Sequence, residues 1–235
     1  MDKYPALNNA LRYCGVCGIQ IPAELAADLE SIGVKTQEYY EGQLTRLVTS
    51  FYKGNIDALQ FVQIFGNLID GQLNKAWMEG MAVNGLKPED MTDELQAILD
   101  EIIDAEHGSI IGFADDIGAA SGLTGEPIDP LLARVPLWGA RYEDTKNRAI
   151  MATAEEKDKL EWIYGDTQHC DTCAQLNGVV AYASEWERAG LHPQGPPNDM
   201  LECGGWRCQC SLQPTEKRRS PNVMDKLLTI GLGNA

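Results

Sequence analysis

Hydrophobic positions recur with helical spacing through roughly the first two thirds of the chain. Over residues 36–53, Tyr40, Leu44 and Leu47 fall on one face, with the three-to-four-residue spacing that is typical of an amphipathic helix. We therefore predict a helical body over residues 20–154. Besides the helix over 36–53, helices are predicted to begin at or near Pro22, Ile56, Thr92 and Asp129.

The apolar stripes of two of these helices predict which side chains are buried. A side chain every third or fourth position points to the same neighbour in a packed helix. The helix over residues 56–83 has the stripe Leu59, Val62, Phe65, Ile69, Leu73, Trp77 and Met81. The helix that begins at Thr92 has the stripe Leu95, Ile98, Leu99, Ile102 and Ile103.

The pattern changes after Lys159, where apolar and polar residues alternate as in a strand. Asn177-Gly178 is a strong signal for a two-residue hairpin turn. We predict an α+β fold, in which a mainly helical N-terminal body precedes a small β-hairpin within a zinc-knuckle-type C-terminal module. The predicted divisions are an N-terminal CxxC segment, the helical body, a Cys-rich module and a C-terminal tail, over residues 1–19, 20–154, 155–216 and 217–235.

The cysteines give the module its candidate chemistry. Cys170 and Cys173 form a C-x-x-C pair, and Cys203, Cys208 and Cys210 form a second group. Two close groups of this kind are the usual plan of a structural zinc site, which takes four tetrahedral ligands. These five thiols and the neighbouring His169 exceed four, so at least one is a bystander. We predict one structural zinc ion, bound by Cys170, Cys173, Cys208 and Cys203, with Cys210 as the alternative to Cys203.

Other interpretations of the cysteines remain open at this stage. The opening MDKYPALNNALRY contains no apolar signal segment, so an oxidising, disulfide-forming compartment is not expected. Buried, inert thiols are a second possibility, and a redox pair at Cys170 and Cys173 is a third, although such pairs usually occur in a βαβ context. Cys14 and Cys17 form another C-x-x-C, a possible second metal site.

The net charge of the chain argues against some classes of function. The 235 residues carry a net charge of −16, and residues 1–115 contain 7 basic and 18 acidic side chains. Direct nucleic-acid binding is therefore not expected, because such proteins concentrate Lys and Arg. No stretch approaches the roughly 18 apolar residues of a membrane helix, so no membrane partner is expected. A zinc-ribbon adaptor for nucleic acid or protein, using Trp206 and the basic residues 217–219, is retained as an alternative function.

The three histidines and the glycine-rich stretches match none of the common catalytic motifs. No histidine begins the H-x-E pattern of zinc deaminases, and the H-E-x-x-H, P-loop and G-x-S-x-G patterns do not occur. A zinc ion saturated with thiolates also lacks the open position that a catalytic zinc needs. We therefore predict that the protein is not an enzyme.

The order of residues in the module resembles that of phage Mu F-like head-morphogenesis proteins, also called minor head proteins. The resemblance covers about residues 135–215. Two features depart from the family pattern: no histidine precedes the C-x-C pair, and Gln209 replaces the usual arginine. The matching positions are Trp162, Asp166, Cys170, Cys173, Leu176, Asn177, Gly178, Pro196, Pro197, Cys208, Cys210, Leu212 and Pro214.

The resemblance implies a structural role in a tailed phage or prophage. Members of the family are internal head proteins that associate with the portal, and they share no single catalytic activity. The implied partners are the portal and capsid proteins. The implied location is the virion, or the host cytoplasm during assembly, without secretion. The resemblance implies no particular oligomeric state.

Overall fold

The computed structural model describes residues 37–121, 124–166, 168–206 and 208–233. Within them the chain is mostly helical, with one three-stranded antiparallel sheet, which confirms the α+β class. Cys14, Cys17 and the helix predicted at Pro22 lie outside the described residues. Of the helices within these ranges, none combines the length and apolar character that crossing a bilayer requires.

Six helices precede the sheet in the described ranges. The third of them, Asp93–His107, is capped by Thr92, whose Oγ1 accepts a hydrogen bond from the Leu95 N–H at 3.2 Å. A 3₁₀ turn, Pro88–Asp90, lies before it. The helices are α1 Gln37–Tyr52, α2 Ala58–Val83, α3 Asp93–His107, α4 Ile110–Ala119, α5 Asp129–Leu132 and α6 Val135–Thr153.

The rest of the chain alternates short strands and short helices. Its elements are β1 Lys159–Ile163, α7 Asp171–Leu176, β2 Val180–Tyr182, α8 Ala183–Ala189, β3 Ser211–Pro214 and α9 Val223–Gly233.

The helical stripes are confirmed in part. Phe65, Ile69 and Trp77 of α2 are fully buried, as predicted. The predicted burial of Leu59 at the start of α2 and of Ile98 in α3 is wrong, since 58% and 40% of their surface is exposed. Helical spacing identifies a face, but which turns of that face are covered depends on the packing partners.

The chain divides into two compact units. The described residues of the first are 37–70, 106–121 and 124–135, and those of the second are 71–105, 136–166, 168–206 and 208–233. Helix α2 contributes its first half to one unit and its second half to the other. The boundaries predicted at residues 19, 154 and 216 stay predictions.

The first unit packs around aromatic side chains. Phe61 lies 4.9 Å from Phe51 and 5.6 Å from Phe65, measured between ring centroids. Phe113 of α4 completes the cluster, with its ring 6.2 Å from both Phe61 and Phe65. The guanidinium of Arg134 lies 4.4 Å from the Phe113 ring centre. Stacked and edge-on rings of this kind add to the energy of apolar burial.

In the second unit, the last turns of α2 lie tightly against α6. A Cβ atom at Gly80 would come within 2.4 Å of the Lys146 carbonyl oxygen, so only glycine permits this approach. The side-chain amide of Asn84 donates hydrogen bonds to the Ile150 carbonyl and to Thr153 Oγ1, both at 2.8 Å. Helix α6 is thereby fixed directly before β1.

The sheet has the order β2-β1-β3. Leu160 of β1 faces Ala181 of β2, and Trp162 faces Leu212 of β3. The antiparallel pairing of β1 with β2 was predicted, but the two-residue hairpin at Asn177-Gly178 is wrong. The strands are joined by residues 164–179, which contain the C-x-x-C pair and α7. Strand β3, which follows the second cysteine group, was not predicted.

One face of the sheet buries two tryptophans. Trp162 and Trp186 are fully buried, with their ring centroids 5.7 Å apart. The Trp186 indole N–H donates to the Leu160 carbonyl at 3.1 Å, which ties α8 to β1. Helix α9 packs against α8 and β2. It contributes Val223, Leu227 and Ile230 to the same core, which also contains Cys173, Cys208 and Cys210.

Candidate metal centre

The two cysteine groups reach the site from different elements. Cys170 is the N-cap of α7, and its sulfur accepts a hydrogen bond from the Cys173 N–H at 3.5 Å. Cys173 follows in the first turn of α7 and is 1% exposed. Cys203 lies in a turn, and Cys208 and Cys210 precede β3. Pairing of β3 with β1 therefore brings the second group beside the first.

The five sulfur atoms form two groups that share one member. The atoms of Cys170, Cys173 and Cys203 lie within 4.8 Å of one another. The same limit holds for the sulfurs of Cys173, Cys208 and Cys210, and all five residues are free thiols. Four thiolates around a tetrahedral ion are about 3.8 Å apart, given metal–sulfur bonds of about 2.3 Å. Small rotamer changes would close either group, so the residues fit a thiolate-bound metal ion.

The thiols of the second group, Cys173, Cys208 and Cys210, differ in pKa. Hydrogen bonds from the thiols of Cys173 and Cys208 lower the pKa of Cys210 to about 3. The same contacts with Cys208 and Cys210, together with burial, raise the pKa of Cys173. One sulfur thus carries the charge while its neighbours solvate it. A thiolate is the form that binds a metal, so Cys210 has the character of a ligand.

The first group behaves similarly. Burial opposes ionisation of Cys170, but the backbone N–H groups of Cys173 and Cys203 leave its pKa below the ordinary value. Burial raises the pKa of Cys203 to about 12. A bound cation would displace the proton from Cys203, since metal binding competes directly with protonation of a thiol.

Two aromatic residues beside the second group suit a charged sulfur. The indole N–H of Trp162 is buried and makes no hydrogen bond within the described chain, yet it is among the groups that lower the pKa of Cys210. The His169 ring stacks on Tyr164, with 3.7 Å between ring centroids and 7° between planes. Its Nδ1 lies 3.7 Å from the Cys210 sulfur. His169 is therefore a sixth donor at the site.

Hydrogen bonds join the loops that carry the two cysteine groups. The Asp171 N–H donates to Glu202 Oε2 at 2.8 Å, and the Glu202 N–H donates to Thr172 Oγ1 at 3.1 Å. These contacts hold the start of α7 against the residue that precedes Cys203. The spacing between Cys170 and Cys203 is thus fixed by the backbone as well as by their side chains.

The carbonyl of Cys210 is held by two further amides. Gln194 Nε2 donates to it at 3.0 Å, and Asn147 Nδ2 of α6 lies 3.5 Å away. Asn147 Oδ1 accepts a hydrogen bond from the Leu212 N–H at 3.3 Å. Supporting hydrogen bonds of this kind orient metal ligands. They connect the cysteine site to the end of the helical region.

Asn198 organises the loop between α8 and Cys203. Its side-chain amide donates to the carbonyls of His192 and Gln194 at 3.0 and 2.8 Å. Its own N–H donates to the Gly204 carbonyl at 2.9 Å. Because Asn198 is 5% exposed, these bonds are shielded from water. The loop is therefore an ordered support for the site.

The structure brings together every described cysteine that the sequence singled out. Cys170, Cys173 and Cys203 fall in one group, and Cys208 falls in the other with Cys210. The four-ligand set with Cys203 rather than Cys210 stays a prediction. Sequence reasoning noted His169 but assigned it no role, and it missed Asn147 and Gln194, which carry no metal-ligand signal.

Gly165, two residues after β1, lies close against the backbone of Gln209, between Cys208 and Cys210. A Cβ atom there would lie 2.1 Å from the Gln209 carbonyl oxygen, and the Gly165 N–H helps to lower the pKa of Cys210. We expect Gly165→Ala to weaken metal binding by about 10–100-fold, the usual effect of disturbing the support of a ligand. Competition against a chromophoric chelator measures the change.

Gln209→Ala is the matched control for this substitution. It removes an exposed side chain at the same contact and leaves the backbone in place, so we expect unchanged affinity. Equal affinities for the Gly165→Ala variant and the unmodified protein would contradict the prediction.

Comparisons with protein families, with curated proteins and with solved structures find no match to this chain.

Proposed function

We propose that this protein is a zinc-stabilised, non-enzymatic structural component of a tailed-phage head, which acts during assembly at the portal or the inner capsid. The observation that carries the zinc part is the convergence of five thiols, in two groups that share Cys173. The resemblance to minor head proteins, stated above for residues 135–215, supports the assembly role.

The surroundings of the C-x-x-C pair favour a metal over redox exchange. A redox pair needs one accessible, activated sulfur with a single nearby partner. Cys170 has a lowered pKa, which alone would suit that chemistry. Its partner Cys173, however, is buried and also contacts the sulfurs of the second group. Five converging sulfurs exceed what a two-electron exchange uses, whereas a thiophilic cation uses several of them at once.

The basic tail offers less to nucleic acid than its sequence suggests. Lys217 Nζ lies 2.7 Å from Glu161 Oε1, and Arg219 Nε donates to Glu185 Oε2 at 2.8 Å. Glu161 and Glu185 are largely covered, with side chains 10% and 13% exposed. These cations hold the segment before α9 against β1 and α8. This arrangement favours the structural role over the adaptor.

The partner surface that we propose is the acidic side of α3. Its exposed carboxylates repel phosphate and attract a basic protein surface, and such attraction accelerates association. We expect the portal or inner capsid to present the complementary basic patch. The exposed acidic residues of α3 are Asp93, Glu94, Asp100, Glu101 and Asp104.

Co-expression with the portal and capsid proteins of the same phage genome tests the proposal. We expect the protein to co-purify with portal or proheads, and we expect its deletion to lower particle yield. The triple variant Asp100→Asn/Glu101→Gln/Asp104→Asn should lose this association while zinc content and melting temperature remain unchanged. A matched control is Glu38→Gln, at an exposed site in α1. Absence of co-purification together with unchanged particle yield would reject the assembly role.

A further inference from the structure

The site contains more donors than one tetrahedral ion can use. Five sulfurs lie in two groups that share Cys173, and His169 Nδ1 lies 3.7 Å from the Cys210 sulfur, whereas zinc takes four ligands. With one ion, two of the donors would remain beside it without a metal. With the ligand set predicted from sequence, these two are the buried thiol of Cys210 and the His169 imidazole beside it.

We propose that the site binds two zinc ions, bridged by the sulfurs of Cys173 and Cys208. The inference rests on the zinc site proposed above and specifies its nuclearity. Two tetrahedral ions require eight metal–ligand bonds. Six donors supply eight bonds when two of them bridge, so the donors at the site match the requirement of a dinuclear centre.

The arrangement of the sulfurs assigns the donors to the ions. Cys173 belongs to both groups, which is the position of a bridging thiolate. Cys208 lies in the group with Cys173 and Cys210, and it is the member of that group that the ligand set predicted from sequence joins to Cys170, Cys173 and Cys203. Cys170 and Cys203 are then the terminal ligands of the first ion. This assignment retains the ligand set predicted from sequence and adds a second ion beside it.

The second ion takes Cys210 and His169 as its terminal ligands. Stacking on Tyr164 fixes the plane of the His169 ring, and Nδ1 is the nitrogen that faces the Cys210 sulfur at 3.7 Å. Sulfur and imidazole nitrogen are both ligands that zinc accepts. The indole N–H of Trp162, which makes no hydrogen bond within the described chain, would face the Cys210 thiolate and stabilise its remaining charge.

Charge balance also favours two ions. Five thiolates and two Zn²⁺ ions carry a net charge of −1. One Zn²⁺ with the same five thiolates would carry −3, unless buried thiols kept their protons. Concentrated negative charge in a partly buried site is costly. A second dication changes the net charge from −3 to −1 and so reduces that cost.

The test uses the full chain with Cys14→Ser/Cys17→Ser, so that the N-terminal C-x-x-C cannot contribute metal. Native mass spectrometry and elemental analysis should give two zinc ions per chain. After exchange with ¹¹³Cd, NMR should show two resonances that are split by mutual coupling through the bridging sulfurs. This measurement needs no substitution within the site, so it does not depend on whether ligand variants fold.

Substitutions of single ligands should distinguish the two ions by the number of zinc ions that stay bound. His169→Ala and Cys210→Ser should lower the stoichiometry from two to one, and so should Cys170→Ser. Cys173→Ser should lower it further than any of these. A stoichiometry of one in the Cys14→Ser/Cys17→Ser protein, or two cadmium resonances without coupling, would overturn the dinuclear inference and leave the zinc-stabilised role standing. A stoichiometry of zero would overturn both.

Discussion

Removal of the metal is expected to unfold the segment between β1 and β3 while the helices before it keep most of their helicity. The strands contain only 5, 3 and 4 residues, too few to be stable without further constraint. Structural zinc supplies about 10 kcal/mol or more of apparent binding free energy in small modules. A loss on that scale exceeds what the small core around Trp162 and Trp186 can replace.

Limited proteolysis with a broad-specificity enzyme measures this effect. After chelation we expect the first new cleavage between Gly190 and Asp199, where Asn198 no longer holds the loop in place. Re-addition of zinc should restore protection. Cleavage in the exposed segment 124–127 serves as an internal control, because it lies in the other compact unit and should not respond to metal. Equal resistance of the 190–199 segment with and without metal would contradict the prediction.

Replacement of Trp186 by alanine is expected to cost about 3–5 kcal/mol of unfolding free energy, the usual range for a fully buried tryptophan. The substitution removes the ring that lies 5.7 Å from Trp162. It also leaves the Leu160 carbonyl without the indole N–H that binds it at 3.1 Å. An unpaired carbonyl in a buried strand adds to the penalty.

Urea unfolding of the zinc-loaded protein measures the change. Trp206→Ala is the control, because 47% of the surface of Trp206 is exposed and its removal should alter stability by less than about 0.5 kcal/mol. Similar unfolding midpoints for the two variants would show that Trp186 does not support the module as described.

The helices were predictable because their signals are local. The spacing of Tyr40, Leu44 and Leu47 predicts α1, and its end at Tyr52 lies one residue from the predicted end. The start of α3 follows from Thr92, whose hydroxyl caps the helix. These signals need no knowledge of the partner. Exposure of Leu59 and Ile98 does depend on the partner, and there the prediction was wrong.

The prediction of a two-residue hairpin was wrong for a related reason. Asn177-Gly178 has the local pattern of a tight turn, and Gly178 indeed has a positive φ of 76°. The Gly178 N–H, however, donates to the Trp162 carbonyl at 2.8 Å, so the dipeptide returns the chain to β1 after α7. A dipeptide pattern gives the conformation of a turn and says nothing about how far away the paired strand lies.

The grouping of the cysteines was predictable from the sequence, but the hydrogen bonds that hold them in place were not. Spacing alone predicts that the cysteines of residues 170–210 come together in one site that could hold a metal ion. The amides of Asn147 and Gln194 reach the Cys210 carbonyl from 63 and 16 residues away. Glycine and proline in the 190–197 segment predict a loop that brings the second cysteine group back to the first. Pro193, Gln194 and Pro196 of this loop are buried, because they make contacts that form only when the chain has folded.

The position of α9 in the core has a consequence for biosynthesis. Val223, Leu227 and Ile230 complete the core that contains Trp162 and Cys173, so β1 and α7 leave the ribosome before their covering helix exists. At about 5–20 residues per second, the roughly 60 residues from Cys170 to Ile230 take about 3–12 s to translate. During that interval the nascent thiols are open to oxidants and to competing metals. We therefore expect the yield of native protein to depend on the zinc supply of the expressing cell while the chain is being made.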